Sequence, residues 1–158
     1  MLTFASDPGD HFWEFQSVAW VEIPTTGFGE IERKYMDPSH SRATVTQYMA
    51  AWNEADSAIR QKLLEKCWAD DGVYIDPGVE LTGREQLSRH IAKVQASRPG
   101  ARLEFMSGID AHHDVVRFLW RLVRADGTAG DTSIDFGEIG PDGRVTRMTG
   151  FFGDAPPK

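Results

Sequence analysis

From Val45 to Val94 the apolar residues recur at helical spacing, and from Leu103 onward they alternate, so the pattern divides the chain into helices followed by strands. Val45, Tyr48, Met49, Trp52 and Ala55 share one helical face, with Ser41 as the N-cap. Ser57 caps a second helix, which turns Ile59, Leu63, Leu64 and Cys67 inward and Arg60, Gln61 and Glu65 outward, and Asp70-Asp-Gly72 ends it. A third helix is predicted from about Arg84 to Ala96. It buries Leu87, Ile91 and Val94, carries His90 on the same face, and stops at Ser97-Arg-Pro-Gly100.

Strands are expected at Leu103–Ile109, Val115–Arg124, Thr132–Ile139 and Arg144–Phe152, with Asp110-Ala-His-His-Asp114 as a turn and Ala125-Asp-Gly127 and Pro141-Asp-Gly143 as hairpins. Helices followed by a meander of strands make an α+β arrangement. Along the second of these strands Phe118, Trp120 and Leu122 oppose Arg117, Arg121 and Val123, and the first set should face the helices. Aromatic residues fall on both faces of the last strands, which suggests a homodimer through the outer face of the sheet.

Between the second and third helices lies the most informative stretch, Gly72-Val-Tyr-Ile-Asp-Pro-Gly78. Val73, Tyr74 and Ile75 form a strand that Pro77-Gly78 breaks, a short strand follows, and Gly83 opens the third helix. Alternation puts Tyr74 and Asp76 on one face. A carboxylate that faces an apolar interior is costly to ionise, so its pKa should rise, and Asp76 is a candidate general base. The plainer reading is that an acid before Pro-Gly only hydrogen-bonds the turn.

Length and composition fit one globular domain, read as residues 41–153, with an extension at 1–40 and a tail at 154–158. The aromatic-rich extension (Phe12, Trp13, Phe15) reads as a segment packed on the domain or on a partner subunit, or as a lid. A formal charge of −7 argues against a nucleic-acid partner. No apolar run approaches the roughly 20 residues that span a bilayer, so no membrane role is expected. The acidic N-terminus does not read as a secretory signal, and the lone Cys67 fits a reducing cytoplasm and a place in the core. His112-His113-Asp114 invites a metal reading, but adjacent strand residues point to opposite faces, so no metal site is expected.

Tyr48 on a first helix, Asp76 in a Tyr-Ile-Asp-Pro strand end, Gly83-Arg-Glu-Gln86, and Ile134-Asp135 nine residues before Arg144 together resemble the SnoaL-like, nuclear-transport-factor-2-like superfamily. Gly108-Ile-Asp110 and the final Thr149-Gly-Phe-Phe-Gly153 look most like its bacterial members. The resemblance implies a cone of strongly curved, mostly antiparallel sheet packed on three helices over residues 41–153. Its ketosteroid isomerases carry a proton-shuttling aspartate where Asp76 stands, and an oxyanion hole where Tyr48 and Asp135 stand. That likeness implies a cofactor-free isomerase or polyketide-cyclase type of enzyme in which Asp76 removes a proton beside a carbonyl. Tyr48 and Asp135 would then hydrogen-bond the enolate. It also turns Asp135 inward, and with it Met148 and Phe152.

The expected pocket takes a small hydrophobic molecule among Trp52, Tyr74, His90, Phe118, Trp120, Met148 and Phe152. Each assignment has a structural alternative: Asp135 as a solvent-facing strand acid, Tyr48 as a core tyrosine, His90 as a buried structural histidine. A non-catalytic ligand binder and an epoxide hydrolase are the other functions the pattern admits. The hydrolase would use Arg117 or Arg121 beside an acid, although both lie opposite Trp120 by parity.

Overall fold

The computed structural model describes residues 38–158, and the readings of residues 1–37 lie outside them. Helix α1 covers Pro38–Asn53, α2 covers Ser57–Cys67 and α3 covers Arg84–Ser97. Helix α1 begins at Pro38 rather than at Ser41, because a first-turn residue needs no amide donor, and Ser41 is buried within the helix. It ends at Asn53, so Ala55 falls in the connection and is exposed. The N-cap of α2 is Asp56, not Ser57: its Oδ1 accepts the N–H of Ala58 (2.8 Å) and of Ile59 (3.0 Å).

Two residues of α2 reverse their expected faces. Ile59 is exposed, whereas Arg60 is only 3% exposed. The Arg60 guanidinium donates to the carbonyl of Glu54 (2.7 Å), just past the end of α1, and to Ser88 Oγ on α3 (3.2 Å). A helix C-terminus leaves its last carbonyls unpaired, and an arginine placed there satisfies one of them.

The strands are β1 (Trp68–Asp76), β2 (Val79–Thr82), β3 (Arg102–Phe105), β4 (Asp110–His112), β5 (Val115–Val123), β6 (Ser133–Ile139) and β7 (Val145–Phe151). Asp70-Asp-Gly72 does not close α2 as expected; β1 starts at Trp68 and holds these residues in an irregular stretch against β7. Trp68 Nε1 donates to the Gly72 carbonyl (3.3 Å), and a Cβ at Gly72 would lie 2.6 Å from that nitrogen. Only glycine lets the backbone come so close. The expected strand Leu103–Ile109 is shorter: β3 ends at Phe105, and beyond it Ser107 Oγ accepts the N–H of Leu119 (2.8 Å). The expected turn at 110–114 contains β4.

The sheet order is β2-β1-β7-β6-β5-β3, with β4 also on β5. Among the described residues only the β1–β7 pair is parallel. The terminal strands β2 and β3 do not meet, so this is an α+β fold with a curved, unclosed sheet around three helices. The core (Val45, Leu64, Trp68, Leu87, Ile91, Val116, Phe118, Met148) lies between helices and sheet. Each such side chain contributes about 1.5–3 kcal/mol when fully buried. Cys67 belongs to this core, and burial pushes its thiol up to about 12, which leaves it inert. Among the described residues no helix is long and apolar enough to cross a membrane.

Candidate active site

A cavity of ≈ 660 Å³ opens between α1, α3 and the inner face of the sheet. Strand parity explains most of its lining. Along β6, Ser133, Asp135, Gly137 and Ile139 are buried while Phe136 points out, so Asp135 faces inward. Along β1, Tyr74 and Asp76 share the inner face, as alternation requires. Helix α1 contributes Tyr48, Met49 and Trp52 from successive turns, and α3 contributes His90 and Val94.

Asp76 divides its oxygens between two tasks. Oδ1 accepts the N–H of Gly78 (2.7 Å) and of Val79 (3.0 Å), which fixes the break between β1 and β2. Oδ2 accepts the Tyr74 hydroxyl (3.0 Å) and stands 3.8 Å from His90 Nε2. The plain and the chemical readings of this acid therefore coexist, one on each oxygen.

Asp135 is set differently. Trp120 Nε1 donates to its Oδ1 at 2.7 Å. Burial pushes its carboxyl up to about 7, against the Trp120 bond and with the nearby Asp76 charge adding to the rise. A burial-driven rise is thus found at Asp135, an acid with a single hydrogen-bond donor.

Tyr48 Oη and Trp52 Nε1 are buried without a hydrogen-bond partner. Asp135 lies close enough for the Tyr48 phenol to favour its ionised form, yet no direct bond closes between them. Burial, then the Asp135 charge, holds Tyr48 well above the usual phenol range, so it stays a neutral donor. Burial likewise raises Tyr74 and lowers His90, the latter opposed by Asp76, so His90 is neutral near pH 7.

Of the ten residues singled out in the sequence, Tyr48, Trp52, Tyr74, Asp76, His90, Trp120, Asp135 and Phe152 line this cavity. Phe118 and Met148 do not. Both are fully buried in the core, with Met148 filling the space over Gly137, so neither forms a wall. Phe152 lies just past β7 and is 50% exposed. The sequence reading missed Arg98, Arg124, Gly130 and Asp131 at the open end, which sit in connections where no periodicity marks a face.

Arg117 is exposed and bonded to Asp110 (2.9 Å), and Arg121 pairs with Glu104 (3.2 Å). Among the described residues no arginine pairs with Asp76 or Asp135, so the arginine-plus-acid arrangement of the hydrolase reading is not assembled here. The two histidines at 112 and 113 do not diverge as alternation predicts. His113 takes φ 52°, which brings the Nδ1 atoms to 3.2 Å. Among the described residues no group of three His, Cys, Asp or Glu side chains is placed to hold a metal ion.

Residues 45–151 match the family model of the SnoaL-like domain. The chain belongs to the SnoaL-like domain family. Its fold matches a candidate isomerase of the SnoaL-like family from Agrobacterium tumefaciens C58 at TM-score 0.69 and 28% identity, over 73% of this chain and 99% of that one. A candidate SnoaL-like polyketide cyclase from Jannaschia sp. CCS1 matches at TM-score 0.59 and 16% identity, over 72% and 85%. A protein of the nuclear-transport-factor-2-like fold from Mesorhizobium loti, of unknown function, matches at TM-score 0.58 and 17% identity, over 74% and 93%. The last two likenesses concern the fold alone. No curated protein matches the chain.

Proposed function

We propose that this SnoaL-like protein is a cofactor-independent enzyme of isomerase or cyclase type, acting on a hydrophobic carbonyl compound. Asp76 Oδ2 takes a proton from the carbon beside the carbonyl. Tyr48 Oη and Trp52 Nε1 donate to the oxygen on which charge develops, and Asp135, in its protonated form, is the third donor.

The observation that carries this reading is the pair of unpartnered donors, Tyr48 Oη and Trp52 Nε1, on residues that line the same cavity as two acids. Leaving a buried donor unpaired costs about 1–3 kcal/mol. A ligand acceptor repays such a cost, and an enolate oxygen accepts more strongly than a ketone. Apolar walls (Val79, Val94, Leu103, Leu122) suit an alicyclic or aromatic body and exclude water from both acids. The similarity to a candidate isomerase at 28% identity is consistent with this chemistry.

The outer face of the sheet supports a homodimer. Phe136 and Phe151 are 47% and 59% exposed there, and adjacent strands β6 and β7 carry them. Sedimentation of wild type beside a Phe136→Ser, Phe151→Ser double variant tests it; two monomeric species would end the idea.

The test of the activity is conversion of an unconjugated steroid enone to its conjugated form, followed by ultraviolet absorbance, with α-proton exchange of simple cyclic ketones in D2O as the wider assay. Wild type should turn over one of these and Asp76→Asn should not. Ligand binding with no exchange in any ketone would instead leave a non-catalytic binder.

A further inference from the structure

The mouth of the cavity carries charge of the opposite sign to its floor. Asp76 and Asp135 occupy the enclosed end, while Arg98 and Arg124 line the cavity from exposed positions. Two connections bring these arginines to one side of the mouth. Arg98 directly follows α3, and Arg124 directly follows β5. The two segments touch, since a Cβ at Gly100 would lie 2.9 Å from the Cβ of Ala125.

Neither guanidinium forms a direct ion pair with a carboxylate among the described residues, although Asp126, which accepts from the Thr128 hydroxyl that Arg124 also reaches, lies near enough for its charge to offset Arg124 in part. Arg98 Nη1 donates to Ser97 Oγ (3.1 Å) and Arg124 Nη1 to Thr128 Oγ1 (3.4 Å), both uncharged partners. Elsewhere Arg84, Arg102, Arg117, Arg121 and Arg144 each pair with a carboxylate, whereas Arg42 and Arg60 bond only uncharged groups. One acid, Asp131, also lines the cavity without pairing with either arginine, and it partly offsets them.

We propose that Arg98 and Arg124 form an anion-binding lip, so that the substrate is a hydrophobic carbonyl compound bearing a carboxylate at the end remote from the reacting carbon. This rests on the activity proposed above. The charge order gives the orientation: the Asp76 carboxylate repels a second carboxylate from the floor, while the planar guanidinium fork accepts it at the mouth. The neutral carbonyl end then goes inward, over an apolar middle of Val94, Leu103 and Leu122, to the donors at the floor.

Calorimetric titration of the full chain with 2-naphthylacetate and with 2-naphthylacetamide, which share shape and differ in charge, tests the lip. Wild type should bind the acid roughly tenfold more tightly at low salt, two partly exposed pairs being worth about that much, and the preference should shrink as salt rises. Arg98→Gln with Arg124→Gln should bind both probes with the amide's wild-type affinity, and Asp131→Asn should widen the preference. Equal binding of the two probes by wild type overturns the lip and leaves the carbonyl chemistry standing. Loss of both probes in the double variant overturns it too, since the arginines would then be structural. Binding of neither probe by wild type overturns the lip together with the apolar-pocket reading.

Discussion

The two inner acids of the cavity, Asp76 and Asp135, are differently served. The Asp76 side chain is 8% exposed and Asp135 as a residue 4%. Asp76 stands at a strand end, where the chain turns and two free amides reach one oxygen while Tyr74 serves the other. Asp135 stands in mid-strand, paired in the ladder between Phe118 and Gly150, where every nearby amide is already committed to the sheet. Only a side chain, Trp120, can reach it. The supply of donors differs with position, and strand ends supply more of them than strand centres. At Asp135, where donors are few, burial raises the carboxyl to about 7.

The largest expected effect comes from removing the acceptor. Asp76→Asn should lower kcat by about 10³-fold, within the range of a lost general base. The asparagine oxygen can still accept from Gly78 and Val79, so thermal stability should stay within about 1 kcal/mol of wild type. Steady-state rates and a melt, measured on the same preparation, separate the two. Activity within tenfold of wild type would remove Asp76 as the base.

Tyr48→Phe is expected to cost roughly 10²-fold in kcat, the size of one lost oxyanion donor. Its apo stability should be unchanged or slightly higher, because the hydroxyl it removes has no partner to lose. A variant that unfolds easily and retains its kcat would make Tyr48 a core residue and nothing more.

Fold and site were legible to different degrees. The helices and long strands announce themselves by period, because each buries one face against a common core. Arg60 was misplaced because a buried charge has no apolar signature; its position depends on carbonyls that only the folded helix end presents. Asp76 was found because a turn and a strand end are both written locally, in Tyr74 and in Pro77-Gly78. The donor set of Asp135 was not, since Trp120 reaches it across the β5–β6 pair and no local spacing encodes that bond. Parity placed Phe118, and the family resemblance Met148, on the inner face, but neither could say how deep along the strand the cavity ends. The Arg98 and Arg124 lip lies in connections, where alternation has no meaning.

Asp135→Asn probes the other acid. Its amide donates at every pH, so kcat should fall only about tenfold near pH 6, while the loss of wild-type activity as pH rises through about 7 should vanish. Stability carries its own sign. Between about pH 4 and 7 the native carboxyl keeps a proton that the unfolded chain has released, so wild type loses stability as pH rises across that window. The asparagine variant escapes this loss and should be more stable than wild type at pH 8, by on the order of 2–4 kcal/mol, with little difference at pH 4. Denaturant melts at the two pH values check it; parallel pH dependence in both proteins would place the titrating group elsewhere.

The smallest effect is expected at His90, and it bears most directly on which group accepts the proton. His90 Nε2 lies 3.8 Å from Asp76 Oδ2, beyond hydrogen-bond length, and burial lowers its pKa from the ordinary histidine value. At pH 7.5 the ring is neutral and contributes little field to the Asp76 carboxylate, so His90→Gln should hold kcat within about threefold of wild type. A difference should emerge only on the acid side of pH 6.5, where wild type gains a cation facing Asp76 and the variant does not. Lys93, which also opposes that protonation, confines the difference to still lower pH. A loss at pH 7.5 as large as that in Asp76→Asn would give the proton to His90, and the donors around Asp76 would then serve to orient a carboxylate that never leaves its charged state.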